Sequence, residues 1–233
     1  LNLPAAAGPD QSMCTPMTST TLAGNAVIFP AVGTWTVTQG SAVFADIHSP
    51  ISDASGLGVG ENILRWTVSN GPCEAGISID EVTITVFDSG NLTANAGPDQ
   101  SLCLPTTTTS MAGSAVIFPA TGIWTLVTGT GVITDPASPT TAITGLSVGE
   151  NVFQWSVMNG PCANPSTSDF VSIFIYDDAN AVANAGNDQQ ICTPLTGTNF
   201  AGSPLTFPAT GHWYLVSGQG DITDPADPIS GVE

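Results

Sequence analysis

The sequence predicts an all-β chain of tandem two-layer sandwiches with about seven strands each, and three observations predict it. The chain repeats itself with a period of 89 residues: Cys14, Cys103 and Cys192 keep that step, as do Trp35, Trp124 and Trp213, and Trp66 with Trp155. Val, Thr, Ile and aromatic residues alternate in short runs closed by Gly, Pro and Asn, the pattern of half-buried strands ended by turns. No window carries a helical apolar period. A repeat of this length is the size of one small domain, and many short strands in it describe an immunoglobulin-like sandwich.

The second copy shows the elements in order. Thr107–Gly113 reads as an early strand, following the first strand that carries Cys103. Gly122–Gly129 is a strand between glycines with Trp124 at its middle, where a side chain between two sheets belongs. Thr140–Thr144 is a short strand. Glu150–Asn159 is a long one, with Phe153, Trp155 and Val157 on one face, and it ends in the turn Asn159-Gly160-Pro161. Asp169–Tyr176 closes the copy, with Val171, Ile173 and Ile175 on one face and Phe170, Ser172, Phe174 and Tyr176 on the other. Trp35, Trp66, Trp124, Trp155 and Trp213 are expected as core residues, with sugar stacking as the alternative for any that is exposed. The copies divide the chain at residues 1–90, 91–179 and 180–233. The third is expected to be incomplete, because Gly231-Val232-Glu233 matches Ala142-Ile143-Thr144, before the Trp-bearing strand, and more copies are expected in the natural protein.

Composition narrows the function. There is no Lys, one Arg (Arg65) and nineteen acidic residues, for a net charge of −18, yet only 9% of residues are charged. Ion pairs cannot hold such a fold. Partners that need clustered Lys or Arg, nucleic acid and anionic membranes, are disfavoured. No run of apolar residues is long enough to span a membrane as a helix. Paired cysteines in fixed phase argue for disulfides and an oxidising, extracellular compartment. The two cysteines of a copy lie 59 positions apart, so the expected pairs are Cys14–Cys73 and Cys103–Cys162, with the partner of Cys192 past the chain end. Each such bridge is worth roughly 4 kcal/mol in the chain-entropy model.

Motif order adds a resemblance. Ala94-Asn-Ala-Gly-Pro-Asp-Gln100, Cys103, Phe118-Pro-Ala-Thr-Gly-Ile-Trp124, Gly145-Leu-Ser-Val-Gly-Glu-Asn151, Trp155 and Asn159-Gly-Pro-Cys162 follow one another in that order. This resembles the PKD-like repeats of large Bacteroidota cell-surface proteins of the gliding-motility-associated adhesin type. The resemblance runs copy by copy over the whole chain, departing at Ala6, where later copies have Asn95 and Asn184. It implies a β-sandwich, export to the bacterial cell surface and a stalk or adhesive-fibre role, and it implies no catalysis.

Candidate chemistry is sparse. His48 and His212 are out of register with each other, and no nucleophile elbow, phosphate loop or zinc-protease motif occurs, so no enzyme is expected. Asp88, Asp99, Asp177 and Asp188 recur at the junctions, where grouped oxygen ligands could hold calcium; turn chemistry is the alternative. Asn91-Leu92-Thr93 is an N-glycosylation-type sequon. The expected function is a non-catalytic structural segment of an extracellular stalk, adhesin or filament. Its partners are neighbouring repeats, with other copies of the chain or a surface glycan as further candidates. A carbohydrate- or protein-binding module and a fibre subunit completed by a donated strand are the rival readings.

Overall fold

The computed structural model describes residues 4–70, 76–90, 93–163 and 165–233. The first repeat forms β1 (Gln11–Cys14), β2 (Thr20–Thr21), β3 (Val32–Gln39), β4 (Val43–Phe44), β5 (Asp53–Ser55), β6 (Gly60–Ser69) and β7 (Ile77–Phe87). The second forms β8 (Gln100–Cys103), β9 (Thr109–Ser110), β10 (Thr121–Thr128), β11 (Val132–Ile133), β12 (Ala142–Thr144), β13 (Gly149–Met158) and β14 (Ser166–Tyr176). A 3-10 turn, Asp178–Ala181, follows, and the third repeat contributes β15 (Thr198–Asn199) and β16 (Gly231–Val232). The early strand expected over Thr107–Gly113 is regular only at β9. Beyond it, Met111 and Gly113 donate their N–H groups to Thr141 and Pro139 outside any ladder.

Each complete repeat is a two-sheet, immunoglobulin-like sandwich. The first has sheets β1-β7-β6-β3 and β2-β5-β4; the second has β8-β14-β13-β10 and β9-β12-β11. The first strand of each repeat joins the edge of the larger sheet in parallel with the last strand. That arrangement sets where the cysteines go.

Period-2 patterning puts the large residues between the sheets. Trp35 and Trp66 lie opposite each other on β3 and β6, with ring centroids 4.8 Å apart, and are 1% and 0% exposed. The Trp66 ring lies directly over Gly33, where a Cβ would fall 2.1 Å from Cζ2. Gly122 stands in the same relation to Trp155, at 2.2 Å. Each indole N–H finds an acceptor, as buried Trp requires: Ser49 O for Trp35, Asn25 Oδ1 for Trp66, Pro139 O for Trp124 and Ser114 O for Trp155. A buried Asn ties the strands beneath. Asn62 Oδ1 accepts from the N–H groups of Ser41 and Gly58, while its Nδ2 donates to Gly58 O and Ile84 O. Asn151 repeats the pattern with Thr130, Ser147 and Ile173.

The chain gathers into two compact units. One holds residues up to 95 together with 114–123 and 155–169; the other holds 96–113, 124–154 and 170–233. The first unit thus joins the first repeat to two segments of the second. Those two segments build the site.

Candidate functional site: a stapled repeat junction

The junction is organised by the end of β7. Parallel pairing places Cys14 beside Phe87, and the Thr15 N–H donates to Phe87 O at 2.9 Å. Against this edge lies the turn Asn159-Gly160-Pro161-Cys162 of the second repeat. Gly160 has φ +56°, and a Cβ there would stand 2.5 Å from Cζ of Phe87, so glycine is required both by backbone conformation and by the ring. Asn159 Nδ2 donates to Asp88 O at 2.8 Å, and the Asn159 N–H donates to Pro165 O. Asn159 is 1% exposed, and its Oδ1 has no partner among the described residues. A disulfide closes the contact: Cys14 is bonded to Cys162, with Cα atoms 5.5 Å apart across 148 residues of sequence.

A second contact flanks the first. The Phe118-Pro119 loop of the second repeat reaches back to the start of β6, where Phe118 Cδ1 lies 3.9 Å from the position of a Cβ on Gly60. The same loop of the third repeat reaches Gly149, and Phe207 meets Phe174 edge-on at 6.0 Å. Exposure records the cover: Phe118 and Phe207 are 61% and 60% exposed, whereas Phe29, their counterpart in the first repeat, is 92% exposed.

The disulfide corrects the pairing expected from spacing. Cys14 is bonded to Cys162, not to Cys73, and Cys103 is free and exposed, not bonded to Cys162. The reason is strand direction. Because β1 runs parallel to β7, Cys14 stands beside the last residue of β7, whereas in sequence Cys73 precedes the first, Ile77. The 11-residue strand β7 separates those ends by about 33 Å, and a disulfide spans under about 7 Å between Cα atoms. In the second repeat Cys103 stands beside Tyr176, at the far end of β14 from Ser166, which Cys162 precedes. Cys192 is a free, exposed thiol. Cys73 lies outside the described residues, as does the sequon residue Asn91.

The remaining candidate residues take backbone roles. Asp99 Oδ1 accepts from the Ser172 N–H, as Asp10 does from the Thr83 N–H, and each ties the first strand to the last. Asp88 accepts from the Gly90 N–H and Asp177 from the Ala179 N–H, both as short turn caps. Asp188 is exposed. Among the described residues, no three His, Cys, Asp or Glu side chains group where they could hold a metal ion. Arg65 and Glu81 form an ion pair at 2.8 Å with side chains about 40% exposed, worth about 0–1 kcal/mol at the surface. Trp213 differs from the other four Trp. It is half-buried, stacks on Phe200 at 4.2 Å and lines a cleft with Leu205, His212 and Pro228. Tyr214 beside it is 76% exposed.

Sequence reasoning missed Phe87 and Gly160 as junction residues. The signal was available: the Asn-Gly-Pro-Cys turn recurs in phase, and an aromatic residue recurs as Phe87 and Tyr176.

No family model matches the sequence, and no curated protein matches it. Among solved structures, the chain is similar to the PKD domain of the KIAA 1837 protein, at 24% identity over 42% of this chain and 92% of that one, with a TM-score of 0.32. It is similar to a variant three-Ig-domain fragment of titin, at 11% identity over 98% of this chain and 87% of that one, with a TM-score of 0.42. It is also similar to the N-terminal four Ig domains of a Dscam1 isoform, at 15% identity over 75% of this chain and 46% of that one, with a TM-score of 0.46.

Proposed function

We propose that this chain is a structural segment of an extracellular stalk or adhesive filament, in which repeats at 1–90, 91–179 and 180–233 act as load-bearing spacers. The observation that carries the reading is the Cys14–Cys162 bridge, because it joins consecutive repeats and leaves each sandwich to its Trp core for stability. A covalent tie across a joint adds nothing to a catalytic site and adds strength to a string. It requires an oxidising compartment, which agrees with export to a bacterial cell surface. The acidic, Lys-free surface keeps neighbouring strings soluble and apart.

Antibody labelling of intact producing cells tests the reading: label on unpermeabilised cells is expected, and label that appears only after permeabilisation would sink it. A binding role has one observation in its favour, the exposed Tyr214 beside the half-buried Trp213, and glycan arrays probe it.

A further inference from the structure

The Cys14–Cys162 bridge is one step of a series, and we propose that Cys103 is the near half of the next step. Its partner is the cysteine of the Asn-Gly-Pro-Cys turn in the repeat that follows. This rests on the tandem-repeat reading, and three features of the second and third repeats carry it.

The seat recurs. β8 runs parallel to β14 and sets Cys103 beside Tyr176, as β1 sets Cys14 beside Phe87. Leu104 donates its N–H to Tyr176 O at 2.9 Å, as Thr15 does to Phe87 O. Asp177 follows Tyr176 as Asp88 follows Phe87, so the carbonyl that receives Asn159 in the first junction has its counterpart in the second. A tyrosine ring offers the glycine of the turn the same flat face as a phenylalanine.

The docking pose recurs as well. The third repeat sets Phe207 O 3.8 Å from a Cβ position on Gly149 and its ring edge-on to Phe174, and the second sets the Phe118 ring 3.9 Å from the matching position on Gly60, with exposures of 60% and 61%. A repeat held in that pose presents its turn to the seat beneath it. The thiol is also ready: Cys103 is free and exposed, whereas Cys162, the far half of the completed step, is 5% exposed. In the repeat phase the partner of Cys103 falls at position 251, 148 residues on, the separation seen between Cys14 and Cys162. In a chain continued in phase, a cysteine at position 251 would therefore pair with Cys103 and not, as within-repeat pairing would have it, with Cys192.

The bond forms by thiol–disulfide exchange with a disulfide oxidant such as oxidised glutathione. The Cys103 thiolate attacks the oxidant, displacing one thiol and forming a mixed disulfide. The second cysteine thiolate then attacks the Cys103 sulfur and displaces the other thiol. Two protein thiols lose two protons and two electrons, and the oxidant becomes two free thiols.

The test extends the full chain past Glu233 with a copy of residues 145–178, which completes the third repeat in phase. After oxidation with glutathione disulfide, peptide mapping by mass spectrometry is expected to find Cys14–Cys162 and Cys103 joined to the appended cysteine. If Cys14–Cys162 forms but Cys103 stays alkylatable, or if the appended cysteine bonds to Cys192, the series is wrong while the first staple stands. If mapping finds Cys14–Cys73 and Cys103–Cys162, the stapled-stalk reading falls with it. Cys14→Ser in the unextended chain gives a second measurement that needs no added segment. Cys162 is then expected to remain a free thiol beside a free Cys103, and a Cys103–Cys162 bond in that variant would overturn the geometry of the seat.

Discussion

Stretching the oxidised chain from its two ends measures the staple. The Cys14–Cys162 bond removes the 148-residue span between the two positions from the extensible path, because force crosses at the sulfurs instead of along the backbone. A fully extended residue adds at most about 3.3–3.6 Å, so the bond hides about 490–530 Å of contour length. Within-repeat bonds would hide two separate spans of 59 residues, about 195–210 Å each. Optical-tweezer extension of single molecules, before and after a phosphine reductant, distinguishes the two. The expected gain on reduction is one class of about 500 Å, the extended length of the bridged span. The sandwiches should unfold in sequence only after the bond opens. Two gains of about 200 Å each, the extended length of the shorter spans, would refute the cross-repeat connection, and so would no gain at all. The thermodynamic counterpart is modest: closing a loop of 148 residues contributes about 5 kcal/mol in the chain-entropy model, against about 4 kcal/mol for the shorter loop. Length gained under force is the sharper readout.

Three more outcomes follow from the packing. Gly33→Ala puts a methyl group 2.1 Å from a Trp66 ring that is fully buried against Trp35. We expect a loss of about 1–3 kcal/mol in urea unfolding, whereas a gain of about 0.5 kcal/mol, usual for Gly→Ala at an unstrained site, would show that the rings can move. Gly160→Ala meets both a positive φ and the Phe87 ring. It should slow formation of the Cys14–Cys162 bond from the reduced chain, with little change in the near-ultraviolet signal of the Trp cores; an unchanged oxidation rate would remove Phe87 from the seat. Chelation with EDTA should leave Tm within about 1 °C, since Asp88, Asp99 and Asp177 already accept backbone N–H groups. A calcium-dependent rise would restore the junction acids as metal ligands.

Much of the fold was legible because the repeat states each structural demand more than once. Trp155 alternates with Phe153 and Val157, and all three lie inside, since a strand with one face in the core must alternate. Asp135 and Asp224 stand in Thr-Asp-Pro, which reads as a turn, and each accepts from the N–H two positions on. The cysteine connectivity was not legible, because a fixed phase carries two solutions. A cysteine pair 59 apart within a copy and a pair 148 apart across copies are the same list of positions. What separates them is whether the first strand runs parallel or antiparallel to the last, a long-range property that four residues, Gln11–Cys14, cannot announce. Asn62 and Asn151 were missed for another reason. A buried Asn serving four backbone groups looks, in sequence, like any turn residue near Gly-Glu-Asn.

The parallel first strand also decides how a longer array would carry load. Under the forward-stepping rule, successive bonds overlap and do not sit side by side. A path that enters at Cys14 leaves at Cys162 and meets the next near-half cysteine at Cys192, early in the third repeat. A bond from Cys103, a free thiol in this structure, would belong to a second, interleaved path. For every two repeats, each path then exposes only a short stretch of extensible backbone, such as the one from Cys162 to Cys192, and each repeat interior is bypassed by the path that skips it. Within-repeat bonds would leave every joint spanned by one unprotected backbone segment, such as 74–102. Cross-repeat bonds double the covalent connections through a joint, so a single backbone cleavage between two stapled cysteines, at Arg65 for instance, leaves the string unbroken. Trypsin treatment of a Cys73→Ser variant checks that consequence, because Cys14 then has no partner within its own repeat. Under denaturing conditions the cut product should keep its intact apparent mass until reductant is added. Fragments released without reductant would mean that Cys14 makes no bond across the joint, and that the backbone alone holds the two repeats together.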